Sequence, residues 1–144
     1  MANSDSELRA LFDERAVAMG AKDIERVMAL YAPDVVYFDL VPPLRYVGAD
    51  ALRARFLDWF PRWHGPIGQQ TQELEVSADD RVATAHMLVR AYGTMQDGRT
   101  VDYFVRVTNG CRRSDGGWRI IHEHVSLPVE MSTGRARMDL TPDT

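Results

Sequence analysis

The side chains that could do chemistry are concentrated in the second half of the chain. His122 and His124 stand two residues apart, and His86 and Asn109 lie on two earlier extended runs. Residues two apart on a strand point to the same face, so a sheet could gather these groups. Because imidazole changes charge near neutral pH, such a cluster indicates general acid–base chemistry.

Two hairpin turns determine whether these side chains meet. If Asp97-Gly98 forms a two-residue turn, counting back along both strands places His86 opposite Asn109. If the next hairpin closes around Asp115-Gly116, Asn109 lies opposite His122. These three side chains would then form a row across three strands on one face. A one-residue error in either turn would reverse the assignment.

The face that carries this row is the more apolar one, so we expect the rest of the domain to cover it. A mostly apolar face with a few converging polar groups is typical of a ligand pocket. The same counting adds to this face Leu88, Tyr92, Tyr103, Val105, Val107, Cys111, Trp118, Ile120 and His124. It places Asp102, Arg106, Thr108, Arg112, Arg119 and Glu123 on the opposite face.

Less functional interpretations of the same residues stay open. Each histidine alone is more simply a half-buried side chain hydrogen-bonded to a neighbour. The spacing of His122 and His124 would also suit a metal chelate with His86 as third ligand. The counting places no carboxylate on that face, so we predict that the site holds no metal. Trp59 and Trp63 either wall an apolar ligand or pack in the core.

The elements that must position these groups are three helices followed by a meander of strands. A capping box at Ser4–Glu7 begins the first helix, and the second begins near Asp23. A strand over Val35–Leu40 precedes a third helix, Ala51–Phe60, which Asp50 caps. The extended runs that follow are Ile67–Ser77, Arg81–Thr94, Arg99–Arg113 and Trp118–Leu127. This order predicts an α+β fold in which a curved antiparallel sheet encloses a pocket.

Length and composition set outer limits on the function. The 144 residues suit one domain, which we place at residues 1–128, with a polar tail over 129–144. A formal net charge of −4 argues against nucleic acid, and no apolar run is long enough for a membrane span. The first residues do not form a secretory signal, and Cys111 has no partner for a disulfide. We therefore expect a cytoplasmic protein, although a lone cysteine is compatible with other compartments.

Several segments together carry a resemblance to a known family. They are Asp23-Ile24-Glu25, the run Leu30–Asp34, the strand end Phe38-Asp39, Gly48 before the third helix, and the closing run Trp118–Pro128. Their order resembles the nuclear transport factor 2-like superfamily and, within it, the SnoaL-like and ketosteroid isomerase-like proteins. The resemblance covers the chain to about residue 128. It implies helices that close one side of a strongly bent sheet, forming a cone-shaped pocket.

The resemblance also implies an assembly and a reactive group. It implies a homodimer packed through the outer sheet face, with Arg106, Thr108 and Glu123 as interface candidates. Asp39 falls where ketosteroid isomerases carry their general-base aspartate, and its apolar neighbours in the sequence suit a raised pKa. Where those isomerases place an oxyanion-holding tyrosine in the first helix, this chain has Arg15. The chain therefore departs from steroid isomerases at that position.

These observations lead to one predicted function and one rival. We predict a cofactor-independent isomerase, dehydratase or polyketide cyclase-type enzyme that acts on a small, partly apolar carbonyl compound. Asp39 or His86 would abstract a proton, and His122 and Asn109 would hold or protonate the oxyanion. Further substrate-binding candidates are His124, Tyr103, Tyr92, Trp59 and Trp63. The rival is a non-catalytic module of the same fold that binds a small molecule or dimerises.

Overall fold

The computed structural model describes residues 3–144 and has the predicted order of helices followed by strands. The helices are α1 (Ser4–Gly20), α2 (Ile24–Met28) and α3 (Ala49–Trp59), and the 3-10 turn Phe60–Arg62 follows α3. The strands are β1 (Tyr31–Phe38), β2 (Tyr46–Val47), β3 (Trp63–Ala78), β4 (Val82–Met95), β5 (Thr100–Ser114), β6 (Gly117–Ser126), β7 (Val129–Glu130) and β8 (Arg135–Ala136). None of the helices over residues 3–144 is long and apolar enough to cross a membrane.

Side-chain caps fix the starts of the first two helices. Asn3 caps α1, since its Oδ1 accepts a hydrogen bond from the backbone N–H of Ser6 at 3.3 Å. The predicted capping box therefore lies one residue too late. Asp23 caps α2 as predicted, accepting from the N–H of Arg26 at 3.2 Å. The helix α2 stops at Met28, and Pro33 lies inside β1.

The third helix begins earlier than predicted. Gly48 is its N-cap residue with φ of +90°, a left-handed value that glycine adopts without steric cost, so Asp50 lies in the first turn. Leu52 and Phe56 are one helical turn apart and are the buried residues of this helix. This face of α3 forms one wall of the core.

One large sheet organises the domain. Its six strands have the order β2-β1-β6-β5-β4-β3, and every neighbouring pair is antiparallel except β1 with β6, which are parallel. The helices and the inner face of the sheet enclose the core. The predicted α+β fold, with three helices on a curved and mostly antiparallel sheet, is confirmed. A separate two-stranded hairpin, β7 with β8, follows the large sheet.

The register between β4 and β5 differs by one residue from the prediction. The loop holds three residues, Gln96 to Gly98, and Gly98 has a left-handed φ of +88°. The pairing therefore sets Ala85 opposite Asn109 and His86 opposite Thr108. Because neighbouring residues on a strand point to opposite faces, this shift moves His86 to the outer face of the sheet. The predicted pairing of His86 with Asn109 is wrong.

The register between β5 and β6 changes at a bulge. The turn pairs Arg113 with Trp118 as predicted, and Cys111 still lies opposite Ile120. The next pair is Gly110 with His122, so Ile121 is an additional residue in β6. Beyond this bulge Glu123 turns inward and pairs with Asn109, while His122 and His124 turn outward. The predicted pairing of Asn109 with His122 is wrong for this reason.

The corrected register also changes the predicted dimer interface. Arg106 and Thr108 are exposed on the outer face, as predicted. Glu123 is fully buried in the interior, so the structure contradicts its assignment to an outer interface. The homodimer stays a prediction that rests on the other two candidates.

Gly68 in β3 permits a close approach of the Tyr92 ring across the sheet. A Cβ atom at residue 68 would lie 2.5 Å from the Tyr92 ring, so the ring would have to move. We therefore expect Gly68→Ala to lower the free energy of unfolding by about 1–3 kcal/mol, measured by urea denaturation. Gly110→Ala is the control, because its Cβ would meet its nearest neighbours at 3.7 Å. Equal stability of the two variants would contradict this interpretation.

Candidate active site

A cavity opens between the inner face of the sheet and helices α1 and α3. Its empty volume is about 600 Å³, including the part open to solvent. Leu40 lines the cavity and is 37% exposed, which marks the end that opens to solvent. The walls are mostly apolar and include Met19, Phe56, Val89, Ala91, Val107 and Val125.

Asp39 lies in the cavity beside an arginine of α3. Its Oδ2 accepts a hydrogen bond from Arg55 Nε at 2.8 Å, and its Oδ1 accepts one from the N–H of Leu40 at 2.6 Å. The side chains of Asp39 and Arg55 are 10% and 15% exposed. The positive charge of the Arg55 guanidinium balances the negative charge of the largely buried Asp39 carboxylate. The other two nitrogens of Arg55 make no hydrogen bond to the residues the structure describes, so they are available to a ligand.

The alternation of β1, continued one residue past its end at Phe38, places Asp39 in the cavity. Tyr37 and Asp39 both line it, and they are two residues apart, whereas Phe38 between them contacts the histidines outside. Side chains two residues apart on a strand lie about 7 Å apart along it. Tyr37 also pairs across the sheet with Glu123 of β6. One strand therefore runs from the buried end of the cavity to its open end.

A buried network closes the inner end of the cavity. Arg15 of α1 donates to Glu123 through Nε at 3.1 Å and through Nη2 at 2.5 Å. Tyr31 donates to Glu123 Oε1 at 3.0 Å, and Asn109 Nδ2 donates to the same oxygen at 2.9 Å. Burial alone would lower the pKa of Arg15, but the Glu123 carboxylate, together with two neighbouring tyrosines, outweighs this effect and raises it. Arg15 therefore remains a cation.

Two tyrosines offer further donors to the cavity. Tyr37 and Tyr103 both line it, and neither hydroxyl has a hydrogen-bond partner within residues 3–144. Burial, assisted by the charge of Glu123, raises the pKa of Tyr37 well above its usual value. Burial, assisted by the charge of Asp39, raises the pKa of Tyr103. Both phenols therefore keep their protons at neutral pH and can donate hydrogen bonds.

The predicted histidines lie outside this cavity. His86 is exposed on the outer face opposite Thr108. His122 and His124 pack edge-on against Phe38, with ring centroids 4.8 and 5.3 Å from the Phe38 ring. His122 Nδ1 lies 2.8 Å from the carbonyl oxygen of Val36, which is the ordinary structural role weighed for a lone histidine. The structure therefore separates all three from Asp39.

The other predicted binding residues divide between the cavity and its surroundings. Tyr103 and Trp59 line the cavity. Trp63 is 1% exposed and packs edge-on against Trp59, so it belongs to the core. Asn109 is buried behind the cavity wall, where it holds Glu123. Tyr92 lies on the outer face, with the guanidinium of Arg90 4.3 Å from its ring centroid.

Three residues of the site were not among those predicted from the sequence: Arg55, Tyr37 and Glu123. The alternation of β4 carried a signal for the correct face, since every second residue from Ala83 to Ala91 is apolar. A second signal lay in β6, where the apolar residues Trp118 and Ile120 have even numbers but Val125 is odd. Such a change of parity within one strand indicates a bulge.

The structure does not bring His86, His122 and His124 together as the three metal ligands that their spacing could suit. Within residues 3–144, no group of three or more His, Cys, Asp or Glu side chains is placed to hold a metal ion. His86 is separated from His124 by Thr108, which lies between them in the same row of the outer face.

The family model described as a SnoaL-like domain matches residues 8–130. The chain therefore belongs to the SnoaL-like family, within the nuclear transport factor 2-like superfamily. No curated protein matches the chain.

Solved structures of related proteins support the same assignment. An NTF2-like protein of unknown function from Pseudomonas putida is 35% identical, with 96% of each chain covered and a TM-score of 0.88. A candidate calcium/calmodulin-dependent protein kinase II association domain from Xanthomonas campestris is 25% identical over 90% of this chain and 91% of that one, with a TM-score of 0.78. A candidate dehydratase of the NTF2-like family from Streptomyces avermitilis is 18% identical over 89% and 99%, with a TM-score of 0.76, which shows the shared fold alone.

Proposed function

We propose that the protein is an acid–base enzyme that removes a proton next to the carbonyl group of a small, partly apolar compound. The observation that carries the proposal is the Asp39 carboxylate, which lies in an apolar-walled cavity beside Arg55 and near Tyr103. Isomerases, dehydratases and cyclases of this kind share the same first step, in which a base makes an enolate. The family and the dehydratase-named neighbour support this reaction class without defining the substrate.

The residues have distinct roles in the proposed step. An oxygen of Asp39 takes the proton from the carbon next to the carbonyl, and the electron pair of that C–H bond forms the carbon–carbon double bond of the enolate. The carbonyl oxygen gains the negative charge, which the free nitrogens of Arg55 and the hydroxyl of Tyr103 stabilise. Asp39 then returns the proton at another carbon, or to a departing hydroxide. The apolar walls strengthen these interactions by excluding water.

A screen for proton exchange tests the shared first step without knowledge of the product. A panel of enolisable aryl and alicyclic ketones is incubated with the protein in deuterated water, and NMR follows the loss of the proton signal next to the carbonyl. We expect at least one ketone to exchange faster than in buffer with the same amount of heat-unfolded protein. If the whole panel exchanges at the buffer rate although members bind in the cavity, the enzyme proposal is wrong.

A binding module is the second candidate, and one observation favours it. Both carboxylates of the site are paired with arginines, so their oxygens already accept hydrogen bonds within the protein. A ligand that binds without exchange, with an affinity unchanged in Asp39→Asn, would support this alternative. The cytoplasmic location and the homodimer stay predictions alongside either function.

A further inference from the structure

The inner end of the cavity contains a cation that is only partly used by the protein. Arg15 is 9% exposed and lines the cavity, and its hydrogen bonds to Glu123 and Tyr31 involve Nε and Nη2. Its remaining nitrogen, Nη1, has no hydrogen-bond partner among residues 3–144 and is not sealed from solvent. A guanidinium edge without a partner in an apolar cavity attracts an oxygen acceptor, preferably a charged one.

The Glu123 carboxylate offsets the net charge of Arg15 but leaves one nitrogen of its guanidinium without a hydrogen-bond partner among residues 3–144. Glu123 is fully buried behind the arginine, and its oxygens accept four hydrogen bonds, from Arg15 twice, Tyr31 and Asn109. These four hydrogen bonds satisfy the acceptor oxygens of the Glu123 carboxylate. Arg15 lines the cavity and its guanidinium carries only N–H groups, so a ligand beside it meets hydrogen-bond donors.

Tyr37 supplies a second donor at the same end. It is the neighbour of Glu123 across the β1–β6 pairing, and it lines the cavity with a protonated hydroxyl that has no protein partner. A carboxylate has two oxygens and can accept from a guanidinium and a phenol together. A neutral alkyl group at the same place would leave both donors unpaired, which is costly in a sheltered site.

We propose that Arg15 and Tyr37 form an anion subsite, so that the ligand is a carbonyl compound that also carries a carboxylate on an apolar body. Asp39 lies just past the end of β1, two residues after Tyr37, and extended backbone spaces such positions by about 7 Å. We therefore expect a similar separation between the two polar ends of the ligand. A para-substituted benzene ring spans such a separation, and the apolar walls suit the ring. The position of the carbonyl rests on the proposed function, whereas the anion subsite does not.

Calorimetric titration of simple probes tests the subsite. The probes are 4-acetylbenzoate, its methyl ester, and 3-acetylbenzoate, in which the two groups are closer together. We expect the 4-substituted acid to bind the wild-type protein about tenfold more tightly than the ester, because hydrogen bonds to charged groups are strong. The 3-substituted acid should bind more weakly than the 4-substituted acid.

Two variants assign the preference to the named residues. Tyr37→Phe removes only the hydroxyl, and Arg15→Lys keeps a cation beside Glu123 but removes the free guanidinium edge. Each should weaken binding of the acid by about tenfold and weaken binding of the ester less, because neutral ester oxygens accept weaker hydrogen bonds than a carboxylate does. Thermal melting of each variant checks the fold, and Tyr37→Phe still decides the question if Arg15→Lys does not fold.

The two proposals can fail separately. Equal binding of acid and ester by the wild-type protein, or equal losses for both probes in the variants, would overturn the anion subsite. Because binding is measured without turnover, failure of the ketones to exchange protons would overturn only the proposed reaction.

Discussion

Glu123→Ala should lower the free energy of unfolding by about 3–5 kcal/mol, the usual effect of removing one partner from a buried ion pair. Arg15 would keep its charge in the interior with no counter-ion, and Tyr31 and Asn109 would lose the acceptor that they share. For a chain of this length the loss corresponds to a melting temperature lower by roughly 10 °C. Thermal unfolding followed by circular dichroism measures it.

Glu75→Ala is the matched control for this prediction. Glu75 is exposed on β3 and forms no ion pair with the residues the structure describes, so its removal should change stability by less than about 0.5 kcal/mol. If both variants melt at the wild-type temperature, the buried network contributes little to stability. The position of Glu123 at the inner end of the cavity would then need another explanation.

Asp39→Asn should reduce the rate of proton exchange by at least about a hundredfold, the effect expected when a positioned general base is removed. The amide has the same shape and can still accept from the N–H of Leu40, but it cannot take a proton at neutral pH. The rate is measured by NMR on the ketone that the screen identifies, at saturating concentration, so that weaker binding does not contribute.

Asp34→Asn is the control for the catalytic variant. Asp34 lies on the same strand, but its side chain is 68% exposed and its only ion pair among the described residues is with Arg112, at 3.7 Å. We expect this variant to exchange protons at the wild-type rate and to melt at the wild-type temperature. Equal activity of the two aspartate variants would rule out Asp39 as the base.

The sequence predicts the sheet well because its strands have clear ends. Runs of β-branched and aromatic residues, separated by one Asp-Asp turn and two Asp-Gly turns, define β3 to β6 to within a few residues. The overall resemblance to the family also follows from short segments such as Leu30–Asp34 and Trp118–Pro128. The prediction for Asp39 rests on the resemblance to ketosteroid isomerases, so it does not depend on the sheet register.

The histidines could not be placed in the same way because their faces depend on two registers. A third residue in the Gln96–Gly98 loop and one bulge at Ile121 each shift the pairing by one residue. Each shift is locally small in energy, but it reverses the face of every residue beyond it. The three histidines thus share a face as predicted, but it is the outer face of the sheet.

Arg55 could not be identified as a site residue because its contact is far away in the sequence. Arg55 is half-buried on α3, a position at which arginine is common in any helix. Only the packing of α3 against β1 brings its side chain to Asp39. Likewise, the first helix gives no indication that Arg15 meets Glu123, 108 residues later. Contacts of this kind require the three-dimensional arrangement of the cone.

A crystal structure with a bound, slowly reacting ketone would show directly whether Asp39 is placed to take a proton from the ligand. We predict that the ligand lies in the cavity, with the carbon next to its carbonyl about 3–3.5 Å from a carboxylate oxygen of Asp39. Its carbonyl oxygen should lie within hydrogen-bond distance of Arg55 or Tyr103. Two results would contradict the role of Asp39 as the base. They are a ligand bound at His122 and His124 on the outer face, or a ligand in the cavity whose carbonyl lies away from Asp39.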